Sequence, residues 1–248
     1  MSAVVLITGA SRGIGAATAL LAARAGYAVA VNYAANSLAA DEVVRQIRQA
    51  GGNAMTVQAD VADESQVLKM FEKVDAKLGR LTALVNNAGV VDQTSRVDAM
   101  SMARFKRMFE INVYGSFVCA REAVRRMSTR HGGTGGTIVN LSSVAARLGA
   151  PGQYVDYAAA KGAIDSFTVG LAKEVAAAGI RVNAVRPGII DTDIHASGGL
   201  PDRAREMAPQ VPMQRPGSAE EVARSILWLM SPESSYTTGT VLDVTGGR

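Results

Sequence analysis

Short apolar runs recur along this chain at intervals that leave room for a helix between successive runs: Val4–Ile7, Ala28–Val31, Met55–Val57, Ala83–Val85, Ile138–Leu141, Val182–Val185 and Val241–Val244. Such continuously apolar runs suit strands buried on both faces, which is the habit of parallel rather than antiparallel sheets. Between them, Ala16–Ala25, Leu38–Ala50 and Val67–Leu78 space their apolar residues as helices do. Parallel strands need crossovers, and right-handed crossovers send helices to both faces. The pattern predicts an α/β fold, a doubly wound parallel sheet of about seven strands. No linker or shift of composition interrupts residues 1–248, so one domain is expected, and a chain that is 48% hydrophobic can bury its core.

The segment Thr8-Gly9-Ala10-Ser11-Arg12-Gly13-Ile14-Gly15 leaves the first run and opens a helical pattern. Gly9 permits a sharp turn. Gly13 and Gly15 remove side chains where backbone must approach a phosphate, and a helix N-terminus offers free N–H groups and positive dipole to the anion. A glycine trio alone is weak in a chain with 25 glycines; strand before and helix after make it a dinucleotide loop of the Rossmann type.

Composition excludes other classes. The net charge is +4 with Lys and Arg scattered, which is no footprint for nucleic acid. Met1–Ile7 lacks a basic leader and reads as a first strand, and no apolar run reaches the roughly 18–20 residues of a membrane span. Cys119 is the only cysteine, so no internal disulfide can form and the cytoplasm is the expected compartment. His131 and His195 have no companions at ligand spacing, so no metal is expected. His131–Gly136 reads as a flexible turn, and 191–214 as an irregular insertion that serves as a substrate lid.

Further motifs follow in order: Asn86-Asn87-Ala88-Gly89 after the fourth run, Asn112 within Ile111–Gly115, Ser142-Ser143 after the fifth, Tyr157 and Lys161 four residues apart, Pro187–Thr192 after the sixth, and Gly239–Gly247 at the end. Together with the spacing of Gly9, Gly13 and Gly15, this set resembles the short-chain dehydrogenase/reductase family over essentially the whole chain. The resemblance implies hydride transfer between a nicotinamide and a carbonyl or secondary alcohol. It is nearest to 3-oxoacyl-[acyl-carrier-protein] reductases and glucose 1-dehydrogenase-like enzymes.

The residues themselves support that chemistry. On a helix, Tyr157 and Lys161 share a face. A free phenol titrates near 10, too high for neutral pH, and a nearby cation is expected to lower it, making Tyr157 a usable general acid or base. The same spacing also suits an exposed lysine beside a packed tyrosine. By resemblance, Lys161 also binds the nicotinamide ribose and Ser143 holds the substrate oxygen, with one residue inserted within Gly149–Val155; Ser142 is the alternative. Asn112 resembles the residue that holds a proton-relay water.

An acid at the end of the second strand would accept from the adenosine ribose of NAD. Tyr33 occupies that position. With no acid to repel a 2′-phosphate, and with Arg12 resembling the family's phosphate-reading arginine, NADP(H) is expected and NAD(H) remains possible. Asn36 and Ser37 open a helix whose N–H groups could also hold phosphate. By resemblance Asp60 and Val61 meet the adenine; Asn86, Ala88 and Gly89 flank the cofactor; Ile190 and Thr192 meet the nicotinamide amide; and Ser11, Ile14, Tyr157, Lys161, Pro187 and Gly188 also bind the cofactor.

The expected substrate is a small free carbonyl compound, sugar or polyol. The alternatives are an acyl-carrier-bound 3-oxoacyl group and a non-catalytic dinucleotide sensor. A carrier reductase would need a basic docking patch, for which Arg121, Arg125, Arg126, Arg130 and Lys173 are candidates, whereas Asp156 would put negative charge on the pocket rim. The resemblance also implies a homotetramer, with Phe117, Ala120, Val124 and Met127 and Ala163, Phe167, Gly170 and Leu171 as apolar faces. These could equally pack on the chain's own sheet.

Overall fold

The computed structural model describes residues 3–248. Met1 and Ser2, read with the first strand, lie outside the described residues, as does the side chain of His195. In chain order, β1 (Val4–Ile7), α1 (Gly13–Arg24), β2 (Ala28–Tyr33), α2 (Ser37–Gln49), β3 (Ala54–Gln58), α3 (Glu64–Leu78) and β4 (Ala83–Asn86) form the first half. Then come α4 (Met102–Phe109), α5 (Gly115–Met127), β5 (Gly136–Leu141), α6 (Ala145–Leu148), α7 (Val155–Val175) and β6 (Ile180–Pro187). The chain ends with β7 (Ile190–Asp191), α8 (Ile194–Ser197), α9 (Arg203–Met207), β8 (Gly217–Ser218), α10 (Ala219–Met230) and β9 (Val241–Val244).

The main sheet has seven parallel strands in the order β3-β2-β1-β4-β5-β6-β9. Alternate residues of β1 show why every run is apolar. Val4 and Leu6 join a core with α3, α5 and α7, while Val5 and Ile7 join a core with α1, α2 and α10. The strand order reverses between β1 and β4, which opens a crevice at their carboxyl ends. The loops there are bound together: the Thr8 hydroxyl accepts from the N–H groups of Asn87 and Ala88, and the Asn87 amide donates to the carbonyls of Thr8 and Gly9.

Two segments differ from expectation. In His131–Gly136, Gly133, Gly135 and Gly136 are packed rather than free, and only Gly132 stands in open space: a Cβ on Gly133 would lie 2.2 Å from the Met127 carbonyl oxygen. The 191–214 stretch is not uniformly irregular, since it contains α8 and α9, and Ile190–Asp191 pairs with Gly217–Ser218.

Candidate active site

Two cavities sit over the carboxyl ends of the strands and share Ile14, Asn87, Gly89 and Thr192 as lining, so they are halves of one cleft. The first, about 490 Å³, is lined by Gly9, Ser11, Arg12, Gly13, Tyr33, Asn36, Asp60, Val61 and Ala88. Here α1 begins without a side-chain cap, with Arg12 extended at its N-cap. The N–H groups of its first turn therefore remain available beside the cavity. Gly9 has φ +60° and a Cβ there would meet the Ala88 Cα at 2.9 Å. Gly15 faces inward instead, where a Cβ would lie 2.6 Å from the Gly9 carbonyl; it serves the packing of helix on strand. The uncapped turn, the close approach at Gly9 and the cleft volume fit a dinucleotide.

Some readings need correction here. Asn36 spends its Oδ1 on the Ala39 N–H as the cap of α2, which removes one of the N–H groups expected to hold phosphate. Asn86 lines neither cavity: it is buried and donates to Ser116 O and Asn140 Oδ1. Side chains alternate at the end of β4, so its neighbour Asn87 faces the cleft. Asn32, which no motif singled out, holds three strand ends, accepting from Gly9 N–H and donating to Val57 O and Ala59 O. Arg107, one turn before Ile111, also lines this half.

The second cavity, about 570 Å³, is lined by Ser142, Ser143, Tyr157, Lys161, Pro187, Gly188, Ile190 and Thr192, with Arg203 and Arg248. Tyr157 and Lys161 lie on α7, with Nζ 5.5 Å from the phenol ring centroid. Lys161 is 4% exposed and donates to the Leu141 carbonyl at 2.7 Å. Burial pulls its ammonium down to about 8, against the opposing charge of Asp165. The expected lowering of the Tyr157 pKa does not occur. Burial outweighs other influences and pushes the phenol up to about 12, while the facing Ser143 hydroxyl works in the opposite direction. The two serines point differently: Ser142 is buried and its hydroxyl donates to the Lys161 carbonyl, whereas Ser143 accepts from the Ala145 N–H and meets Tyr157.

Asn112 is fully buried in a π-turn, Glu110–Tyr114, between α4 and α5. Its amide donates to Val90 O and Met108 O, and Oδ1 accepts from Val90 N–H. Both amide hydrogens are thus engaged. A Cβ on Gly89 would lie 2.8 Å from Asn112 Oδ1 and 3.5 Å from Lys161 Nζ, so these groups approach each other across a residue that must be small.

Asp156 is not a rim charge. Its side chain is 1% exposed and receives Arg104 Nε at 2.7 Å and Nη2 at 3.1 Å, while Arg104 Nη1 donates to Gln93 O. The pair ties α4 to the first turn of α7. The basic patch is also less basic than its sequence: Arg121, Arg125 and Arg126 converge on buried Glu122, and Arg121 and Arg126 also pair with Glu64 and Asp75. Among the described residues, no group of three or more His, Cys, Asp or Glu side chains could hold a metal, and no helix is long and apolar enough to cross a membrane.

Comparison with known proteins matches residues 9–248 to a family model described as enoyl-(acyl carrier protein) reductase. The chain is 56% identical over 246 residues to an uncharacterized oxidoreductase, YgfF, of Escherichia coli K12, covering 99% of this chain and 100% of that one. It is 40% identical to a 3-oxoacyl-[acyl-carrier-protein] reductase of Synechocystis, covering 98% and 96% of the two chains. A structure of a mutant Serratia marcescens short-chain dehydrogenase/reductase superposes with a TM-score of 0.91 at 32% identity, over 99% of this chain and 97% of that one.

Proposed function

The chain belongs to the short-chain dehydrogenase/reductase family, oxidoreductases that use a nicotinamide cofactor, and from that premise we propose that it is an NADP(H)-dependent reductase of a small carbonyl substrate, acting as one catalytic domain with Tyr157 as general acid. The observation that carries this reading is the convergence of Tyr157, Ser143 and Lys161 on one wall of a cleft that continues to the uncapped start of α1.

The bound nicotinamide would supply the hydride. The first turn of α1, with Arg12 and Tyr33, would hold the adenosine phosphate end, and Lys161 the nicotinamide ribose. A phenol at about 12 keeps its proton at neutral pH, so Tyr157 rests as the acid that carbonyl reduction consumes. The Ser143 hydroxyl donates to the substrate oxygen as charge builds on it. The Lys161 ammonium, tethered through Leu141, adds positive charge beside the phenol as the proton leaves. Asn112 fixes the Val90 backbone opposite Lys161 and leaves one Oδ1 lone pair for a relay water. NADP(H) is favoured because Tyr33, not an acid, ends β2 and Arg12 stands exposed at the loop, where among the described residues its guanidinium donates to Ser197 of α8. Segment 191–214, which brings Ile194, Arg203, Met207 and Gln210 to the cleft, would act as its cover.

The test is NADPH oxidation with a panel of ketones, sugars and acyl thioesters. Tyr157→Phe should lower kcat/KM by at least about 100-fold while cofactor binding survives; near-normal turnover would refute the assignment. Service to acyl carrier protein is the second reading, favoured by the Synechocystis relative and by Arg130 and Lys173, which have no acidic partner among the described residues. Neutralisation of the other three arginines weighs against it. A carrier-bound thioester preferred over a short free one, with the preference lost on adding salt, would establish that reading. We also propose a homotetramer in the cytoplasm. Ala120 and Met127 are buried on the chain's own sheet, but Phe117, stacked on Phe167 at 3.7 Å, stays 43% exposed, and β9 ends the sheet as an open edge.

A further inference from the structure

We infer that the substrate carries a carboxylate at the far side of an apolar carbon skeleton, bound by the guanidiniums of Arg203 and Arg248. This rests on the reductase reading and narrows its substrate class.

The described lining of the cavity beside Tyr157 contains no Asp or Glu, yet it contains Lys161, Arg203 and Arg248. Lys161 is committed to the Leu141 carbonyl. The two arginines have no carboxylate partner among the described residues, whereas Arg104, Arg126, Arg147 and Arg186 elsewhere in the protein are each paired. Arg203 is also held in place. As the first residue of α9 it lies over the Tyr154 ring, 5.5 Å from the centroid, and its Nη2 donates to Gln153 Oε1 at 2.7 Å. Both supports come from the turn that opens α7, three and four residues before Tyr157. The guanidinium is therefore registered to the helix that carries the proton donor.

Arg248 loses hydration in the cleft and is further depressed by the charge of Arg203. Two partly desolvated like charges side by side are unfavourable unless an anion joins them. A planar carboxylate suits the guanidinium fork, which can donate two parallel hydrogen bonds. The rest of the wall includes Val91, Val144, Leu148, Ile189 and Met207, which accept hydrocarbon and offer nothing to a ring of hydroxyls. A neutral polyol would leave the apolar wall unfilled and the two guanidiniums without a counter-charge. An oxo acid answers both, with its carbonyl at Ser143 and Tyr157 and its carboxylate at Arg203.

The experiment compares levulinate and a cyclohexanone carboxylate, each beside its methyl ester, in NADPH oxidation at low salt. Calorimetric titration of the same acids into the protein is run in parallel. The acids are expected to exceed their esters in kcat/KM by about 10- to 100-fold, the range of a charge-assisted pair. Arg203→Gln should collapse that ratio, Arg203→Glu should invert it, and Arg248→Gln should reduce it. Arg205→Gln, which removes an exposed arginine paired with Asp202, should leave it intact. Esters used as well as acids, or a ratio indifferent to Arg203, would overturn the inference. A preference for acetoacetyl coenzyme A that Arg203→Gln abolishes would also overturn it, since the guanidinium would then be reading a pantetheine phosphate. If no carbonyl is reduced, the reductase reading fails separately. Acid binding that is lost in Arg203→Gln would then still uphold the anion site, and absent binding would refute it.

Discussion

Replacing Lys161 with methionine should make the protein more stable while removing its activity. The ammonium is 4% exposed and burial lowers its pKa from the usual 10.5 to about 8. That depression corresponds to about 3 kcal/mol of unfavourable charge burial at neutral pH. Methionine matches the side chain in length and lacks the charge. The substitution also leaves the Leu141 carbonyl without its donor, a loss of about 1 kcal/mol. The net expectation is a variant about 2 kcal/mol more stable at pH 7. The sign follows from proton linkage. Because the folded pKa is depressed, the unfolded chain binds more protons between pH 8 and pH 10.5, and the wild-type protein gains stability as pH rises through that window. The advantage of the variant should therefore shrink over the same interval. Tyr157, raised to about 12, contributes stability that is lost from pH 10 to pH 12, but it is present in both proteins and cancels. Urea unfolding of the cofactor-free proteins at pH 7 and pH 10.5 measures the difference. A variant less stable than wild type at pH 7, or a stabilisation that does not change with pH, would refute the reasoning.

Arg104→Gln should strand Asp156 in a buried site, costing about 3–5 kcal/mol, and lower the melting temperature by roughly 6–20 °C; a change below about 1 kcal/mol would mean the pair is not desolvated as described. Tyr33→Asp should level or reverse the preference for NADPH over NADH, read as a ratio of kcat/KM, since a carboxylate there repels a 2′-phosphate; a wild-type protein that already prefers NADH would show the end of β2 to be misread. Light scattering at micromolar concentration should give the mass of a tetramer, and Phe117→Glu should dissociate it.

What the sequence determined by itself was whatever depends on neighbours along the chain. Apolar runs buried on both faces required a parallel sheet, and the side chains of β1, alternating between two cores, carry that requirement out. The glycine loop between strand and helix, and the shared helical face of Tyr157 and Lys161, are likewise local geometry. What only the tertiary structure decided depends on partners far away in sequence. Asn86 and Asn87 are indistinguishable as a dipeptide, yet one is spent in the core on Asn140 and the other faces the cleft. Asp156 looked like a rim charge until Arg104, 52 residues away, neutralised it. The direction of the Tyr157 shift depended on burial, which no sequence spacing records; the cation four residues on suggested a lower pKa, and desolvation outweighed it. Arg203 and Arg248 belong to no motif, and their meeting in one cavity whose described lining holds no Asp or Glu exists only once the chain has folded. Hydrophobic period is a property of the chain, whereas desolvation and charge pairing belong to the three-dimensional neighbourhood, and the second kind of information sets proton affinity at this site.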